Sequence, residues 1–269
     1  SGSGTAKRTT DMADATTTNA RGPAIPPLTV LVGKGGVGRS TVAAAMGLVA
    51  SRRGLRTLVV EVAARPSVPS LFGVTGTDSR PVECAPRLFS LRVTWEDALR
   101  EYGLMKLRVG ALYRLVFENP FVRRLVPAIP GTSEILVIGK VVFLVTNGIP
   151  GWGRPDLVIL DAPATGHGIA LVTAPSVVAS TVRGGPLADD ARALDQVLRD
   201  RTKTRFHLVT TPEEMPVSEA VELFGVLAGQ HGLPFGETIV NAVSEAGLSP
   251  EDRDILGHVA SSRNGDPAP

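Results

Sequence analysis

The densest chemistry in the chain lies in one short run, Gly33-Lys34-Gly35-Gly36-Val37-Gly38-Arg39-Ser40-Thr41. Glycines let successive backbone N–H groups turn inward around phosphate oxygens. A helix beginning near Ser40 adds positive potential at the same place. The spacing fits the phosphate-binding pattern G-x-x-x-x-G-K-[ST], with Arg39 where that pattern has lysine. Ser40 then stands where such a loop supplies a hydroxyl to Mg²⁺. Arginine is a wide planar fork rather than a slim ammonium, so Arg39 neutralises phosphate charge but fits poorly beneath a β/γ bridge. This questions the rate of hydrolysis more than nucleotide binding. A second run, Asp161-Ala162-Pro163-Ala164-Thr165-Gly166-His167, follows an apolar segment. An aspartate at the end of a strand beside the glycine loop is placed to hold the Mg²⁺ shell or to sense a γ-phosphate.

The elements that must position these groups follow from hydrophobic patterning. Leu28 to Val32 is a short apolar run meeting glycines at once, which predicts a buried strand, and Ser40 to Arg53 is Ala-rich with helical spacing. Further strands are predicted at Arg56–Val62, Leu88–Val93, Asp156–Leu160, Arg205–Thr210 and Glu237–Val243. Helices are predicted at Leu187–Arg201, Val217–His231 and Pro250–Val259. From Trp95 to about Asn147 the pattern is helical, broken by Pro120, Pro127, Pro130 and Gly131. Alternating strands and helices imply an α/β fold, a doubly wound, mostly parallel sheet carrying the phosphate loop. The helical block reads as an inserted α-helical subdomain at about 95–150. The P-loop domain is expected over 27–260, with a tag and disordered linker at 1–26 and a disordered tail at 261–269.

Composition narrows the function. The chain has 269 residues, 20% of them charged, and a formal net charge of +2 with no long basic block, so nucleic acid is not an expected partner. A single cysteine, Cys84, excludes an intramolecular disulfide framework and any multi-cysteine metal site in one chain. No uncharged apolar run reaches the ~18 residues of a membrane span, so an integral membrane protein is not expected and the cytoplasm is.

The lysine just after the first glycine, Lys34, resembles the signature lysine of the deviant Walker A subclass of P-loop NTPases, to which ArsA, MinD, ParA and the nitrogenase iron protein belong. The string at Asp161–His167 resembles the D-T-A-P-T-G-H switch of the arsenite-pump ATPases and of the guided-entry ATPases for tail-anchored proteins, with Asp161, Thr165, Gly166 and His167 matching. Three further segments are similar to that family. Pro130-Gly131-Thr132-Ser133-Glu134 resembles its P-G-x-x-E helix start. Thr211-Pro212-Glu213-Glu214 resembles its Pro-Glu segment after a strand. Asn241 matches an asparagine that hydrogen-bonds adenine. The resemblance covers roughly Thr29 to Val243 and looks closest to the bacterial ArsA-like branch.

The resemblance implies a Mg-dependent ATPase whose nucleotide state switches a dimer, with Lys34 reaching across to the partner's nucleotide. The loop from Gly33 to Thr41, Pro212 and Asn241 would hold the nucleotide, Ser40 and Asp161 the metal, and Lys34, Arg39 and Asp161 would serve catalysis. The chain also departs from the family. Ala63 occupies the place of the aspartate that positions attacking water, and Glu61, two residues earlier, is a substitute candidate on the same strand face. With Arg39 present as well, slow turnover is expected. The partner is a second copy or an ArsA-like paralogue, in which case this chain is the catalytically weak, nucleotide-sensing subunit. A hydrophobic helix client is a further candidate. Tyr102–Phe117 and Ile135–Val145 are apolar over much of their surface, which suits a client groove or ordinary core. Arg123 and Arg124 suit a groove rim or a solvated surface.

Overall fold

The computed structural model describes residues 25–63, 67–75, 80–107, 129, 131–244, 249, 251, 254 and 255. The strands are β1 (Leu28–Val32), β2 (Thr57–Glu61), β3 (Val82–Ala85), β4 (Leu88–Arg92), β5 (Leu157–Asp161), β6 (Thr204–Thr210) and β7 (Phe235–Val240). The helices are α1 (Arg39–Arg52), α2 (Val68–Leu71), α3 (Trp95–Leu107), α4 (Thr132–Thr146), α5 (Thr165–Thr181), α6 (Pro186–Arg199) and α7 (Glu214–Phe224), and α7 runs on into a π-helical turn, Gly225–Gln230. The strands form one sheet in the order β3-β4-β2-β5-β1-β6-β7. Every pairing is parallel except β3 against β4. This is the expected α/β architecture.

β1, β2 and β5 are buried along their whole length. Strands covered on both faces need apolar residues at nearly every position, which is why LTVLV, TLVVE and LVILD show no alternation. Alternate residues feed two cores. Leu31, Val59, Ile159 and Val209 pack with Val42, Ala43 and Ala44 of α1. Val30, Val60, Leu160 and Leu208 pack with the helices of the other face, among them α4, α5 and α7.

The structure refines several expectations. β3 is a short edge hairpin arm that the pattern did not predict, and α5 was likewise unforeseen. Among the described residues, the helical block between β4 and β5 contains α3 and α4. α4 is spent on the domain's own core: Ile135, Val137, Ile138, Val141, Val142, Leu144 and Val145 are buried. Its apolar surface is therefore core rather than groove. Most of Tyr102–Phe117, together with Arg123, Arg124, Pro130 and most of Pro250–Val259, lies outside the described residues. Among the described residues no helix is long and apolar enough to cross a membrane.

Candidate functional site

The central strands β1 and β5 are neighbours in register, with Leu31 opposite Asp161. Both end at the same edge of the sheet, so the loop after β1 and the loop after β5 meet there. Gly33 begins the first loop in a place no other residue fits, because a Cβ there would lie 2.2 Å from the Val209 carbonyl oxygen. Gly38 ends it with φ at 82°, in the left-handed region, and a Cβ there would lie 2.2 Å from Asn241 Nδ2. Glycine adopts that conformation at no steric cost. The first-turn amides of α1, on Arg39, Ser40 and Thr41, donate to no backbone oxygen among the described residues. They are the orphan donors of a helix N-terminus, without an acidic residue to satisfy them.

Asp161 is the centre of the polar contacts. Its side chain is 8% exposed. The Ser40 hydroxyl donates to Oδ2 at 2.5 Å. The other oxygen, Oδ1, is buried with no hydrogen bond. Arg39 Nε lies 3.4 Å from it, near enough for charge attraction, and is itself buried without a hydrogen bond. Arg39 Nη1 donates to the Gly33 carbonyl and, at 3.2 Å, to the Pro163 carbonyl. One guanidinium thus ties the two loops together. Burial pushes the Asp161 carboxyl above its usual range, Ser40 and Arg39 pull it back, and Glu61 adds a smaller upward push. Burial also lowers the Arg39 guanidinium, against the pull of Asp161. Arg39 sits in the first turn of α1, where a cation opposes the helix dipole. Local helix energetics therefore do not favour it, and its contacts with Asp161 and the two carbonyls do.

The remaining predicted residues fall as follows. Lys34 Nζ pairs with Glu219 Oε1 on α7 at 2.5 Å. Gly35 and Gly36 are exposed on the loop, and Val37 is buried against the α1 core. Asn241, one residue past β7, donates from Nδ2 to the Val37 carbonyl at 2.9 Å, so the end of the sheet is stitched to the glycine loop. Pro212 is exposed at the turn between β6 and α7, and His167 is exposed in the first turn of α5. Thr41 is exposed on α1.

Glu61 differs from its expected part. It is buried and stands beside Asp161 in register. Yet Oε1 accepts from the Ser67 and Val68 amides at 2.6 and 3.1 Å and from the Ser67 hydroxyl at 3.1 Å. Oε2 accepts from the Ser90 hydroxyl at 2.9 Å. The carboxylate anchors the start of α2 to β4, and neither oxygen is without a donor.

Two contacts escaped sequence reasoning: Glu219 and the Pro163 carbonyl. Each lies more than a hundred residues from its partner (185 for Lys34–Glu219, 124 for Arg39–Pro163), and only the fold brings them together. Among the described residues there is no group of three or more His, Cys, Asp or Glu able to hold a metal alone. The donor set present, one carboxylate oxygen without a hydrogen bond and one hydroxyl, is hard oxygen chemistry. That suits Mg²⁺, which characteristically takes one or two carboxylates and completes its shell with substrate phosphates and water.

Comparison with known proteins gives the family. The family model for anion-transporting ATPases matches residues 28–184. ATPase BagA of Mycobacterium tuberculosis is 32% identical over 234 residues, covering 84% of this chain and 67% of that protein. An arsenical pump-driving ATPase of Escherichia coli is 26% identical over 249 residues, covering 86% of this chain and 42% of the pump ATPase. ATPase GET3B of Arabidopsis thaliana is 26% identical over 262 residues, covering 79% of this chain and 63% of its own length. With the glycine loop, the aspartate after β5 and these matches in agreement, the chain belongs to the anion-transporting ATPase family.

Proposed function

We propose that this chain is a cytoplasmic, Mg-dependent ATP-binding protein that hydrolyses ATP slowly and uses its nucleotide state to switch a dimer. The single observation that carries this reading is the couple at the end of β5. Ser40 donates to one oxygen of Asp161, while the other oxygen is buried without a hydrogen bond. Ser40 and Asp161 would be the protein's oxygen ligands for a hard cation, Asp161 once the Arg39 guanidinium beside Oδ1 gives way.

In this reading the amides from Gly33 to Thr41 receive the phosphates, and Ser40 and Asp161 hold Mg²⁺. The bound Mg²⁺ supplies charge neutralisation on the phosphate oxygens. Arg39 adds positive charge beside them. Pro212 and Asn241 flank the base, and the Asn241 amide has donor and acceptor capacity beyond its bond to Val37. Lys34 exchanges Glu219 for a phosphate when a partner docks. Water activation is the weak point. Ala63 carries no group able to orient water, and Glu61 is committed to α2 and Ser90. General-base and positioning groups contribute about 10²–10⁴-fold, so turnover falls well below the ~10 s⁻¹ of a median enzyme.

A second reading is favoured by the same two departures, Arg39 and Ala63: a nucleotide-sensing subunit paired with an ArsA-like paralogue that retains the missing groups. Single-turnover hydrolysis of labelled ATP, with the chain alone and with such a paralogue, separates the two. Slow conversion alone supports the first reading, and conversion only in the mixture supports the second. A rate near the median enzyme contradicts slow turnover. A client-carrying role draws no support from α4, whose apolar surface is buried in the domain core.

A further inference from the structure

We infer that Arg39 is a built-in competitor of the divalent cation for the Asp161 carboxylate, and so sets how tightly the site takes metal. The inference rests on the magnesium–nucleotide reading above and assigns Arg39 a part beyond phosphate binding.

The argument is one of partners. Asp161 has two oxygens. Ser40 donates to Oδ2, a bond compatible with a metal in front of the carboxylate. Oδ1 has no hydrogen bond, and the cation nearest it is Arg39, with Nε at 3.4 Å. The guanidinium is fixed in that position by Nη1, which donates to the carbonyls of Gly33 and Pro163. A metal ion that ligates Oδ1 must take the place of Nε, because ligand distances for Mg²⁺ are ~2.0–2.1 Å. A planar fork lying against the carboxylate does not leave that space.

Nearby charge makes the competition consequential. Glu61 stands beside Asp161 in register on the next strand, so two buried carboxylates lie side by side, and the Arg39 guanidinium is the cation within 4 Å of Asp161 among the described residues. Glu61 is served by four donors from Ser67, Val68 and Ser90. Asp161 is not, and its compensation comes from Arg39. Removing the guanidinium leaves a buried anion whose best available partner is an added cation. Lysine at the same place retains charge, but its single ammonium must serve Asp161 and both carbonyls, which arginine divides between Nε and Nη1. It should hold Asp161 less firmly.

The test is Mn²⁺ binding, read as loss of the free-ion electron paramagnetic resonance signal. It uses the full chain as wild type, Arg39→Met, Arg39→Lys and the Arg39→Met/Asp161→Asn double variant, without nucleotide and then with saturating ADP. Without nucleotide, Arg39→Met should bind Mn²⁺ at least about tenfold more tightly than wild type. Arg39→Lys should fall between, and the double variant should lose the gain. Equal affinity in wild type and a folded Arg39→Met protein overturns the competition. If Arg39→Met does not fold, Arg39→Lys decides: a gain of about threefold or more supports the inference, and none overturns it. The ADP arm separates this from the underlying reading. If ADP raises Mn²⁺ affinity but Arg39 substitutions do not, the competition fails and the nucleotide site stands. If ADP has no effect on Mn²⁺ in any protein, the magnesium–nucleotide reading itself fails.

Discussion

Two buried carboxylates sit side by side at the ends of β2 and β5, and they have opposite surroundings. Glu61 and Asp161 are direct partners in the parallel register, on the sheet face that carries α1. Glu61 accepts from four donors and holds the start of α2 to β4. Asp161 accepts one hydroxyl and presents its other oxygen to a guanidinium that makes no hydrogen bond with it. A carboxylate whose lone pairs are filled by fixed donors is architecture, because any ligand must first break those bonds. One left incompletely filled at a sheet's carboxyl edge is chemistry in waiting. Position and residue type alone would rank the two together.

The comparison breaks most visibly through Asp161→Asn. Magnesium-dependent hydrolysis should fall by about 10²-fold or more, since the metal's protein carboxylate is lost. Steady-state phosphate release with and without Mg²⁺ measures it. A variant that hydrolyses as wild type does would move the chemistry elsewhere, with Glu61 the first candidate.

Glu61→Ala should act on the fold instead. It strands the buried Val68 amide and Ser90 hydroxyl and removes the acceptor of the more exposed Ser67 groups, a cost of about 3 kcal/mol, which for a domain of this size lowers the melting temperature by roughly 10 °C. Nucleotide affinity below the transition should change less than about threefold. A stable Glu61→Ala protein with intact binding and no hydrolysis would instead mark Glu61 as the water-positioning group.

Cys84 sharpens the same contrast. Its thiol is pushed up to about 11, first by burial and then by the charge of Glu61. At pH 7.5 the thiolate is scarce, and alkylation should run about 10²-fold slower than for an ordinary cysteine. Glu61→Ala should speed labelling of the folded protein several-fold, whereas Asp161→Asn should leave it within about twofold.

The smallest effect lies across the sheet at His207. Burial lowers its ring below the ordinary histidine value, with Glu237 partly opposing. The unfolded chain therefore binds this proton more readily than the folded one. Stability is full above about pH 6.5 and declines as pH falls below it. His207→Gln should flatten that decline by about 1 kcal/mol or less, measured by denaturant unfolding at pH 7 and pH 5.5. An unchanged slope would place the acid sensitivity elsewhere.

How much could be read from sequence depended on whether a signal was local. The glycine loop, the aspartate after β5 and the buried central strands were legible because each is a contiguous run with its own physics. α5 was not. Gly166, Gly168 and Pro175 interrupt it, and its β-branched residues blur the helical signal. β3 pairs only at the edge, with an irregular register. The partners that distinguish Glu61 from Asp161 were invisible for a different reason. Ser90 lies 29 residues from Glu61 and Ser40 lies 121 from Asp161. Nothing in the spacing says which carboxylate a fold will fill. The substitute role expected for Glu61 meets four hydrogen bonds already in place.

The central claim is that the Gly33–Thr41 loop and Asp161 form one magnesium–nucleotide site. Equilibrium binding of a fluorescent ATP analogue tests it most directly, titrated with and without Mg²⁺ against wild type and Asp161→Asn. The account predicts that Mg²⁺ tightens binding to wild type by about tenfold or more, a gain of ~1.4 kcal/mol. Asp161→Asn should bind the analogue but lose that gain. Absence of binding to wild type, or an undiminished Mg²⁺ effect in Asp161→Asn, would contradict it.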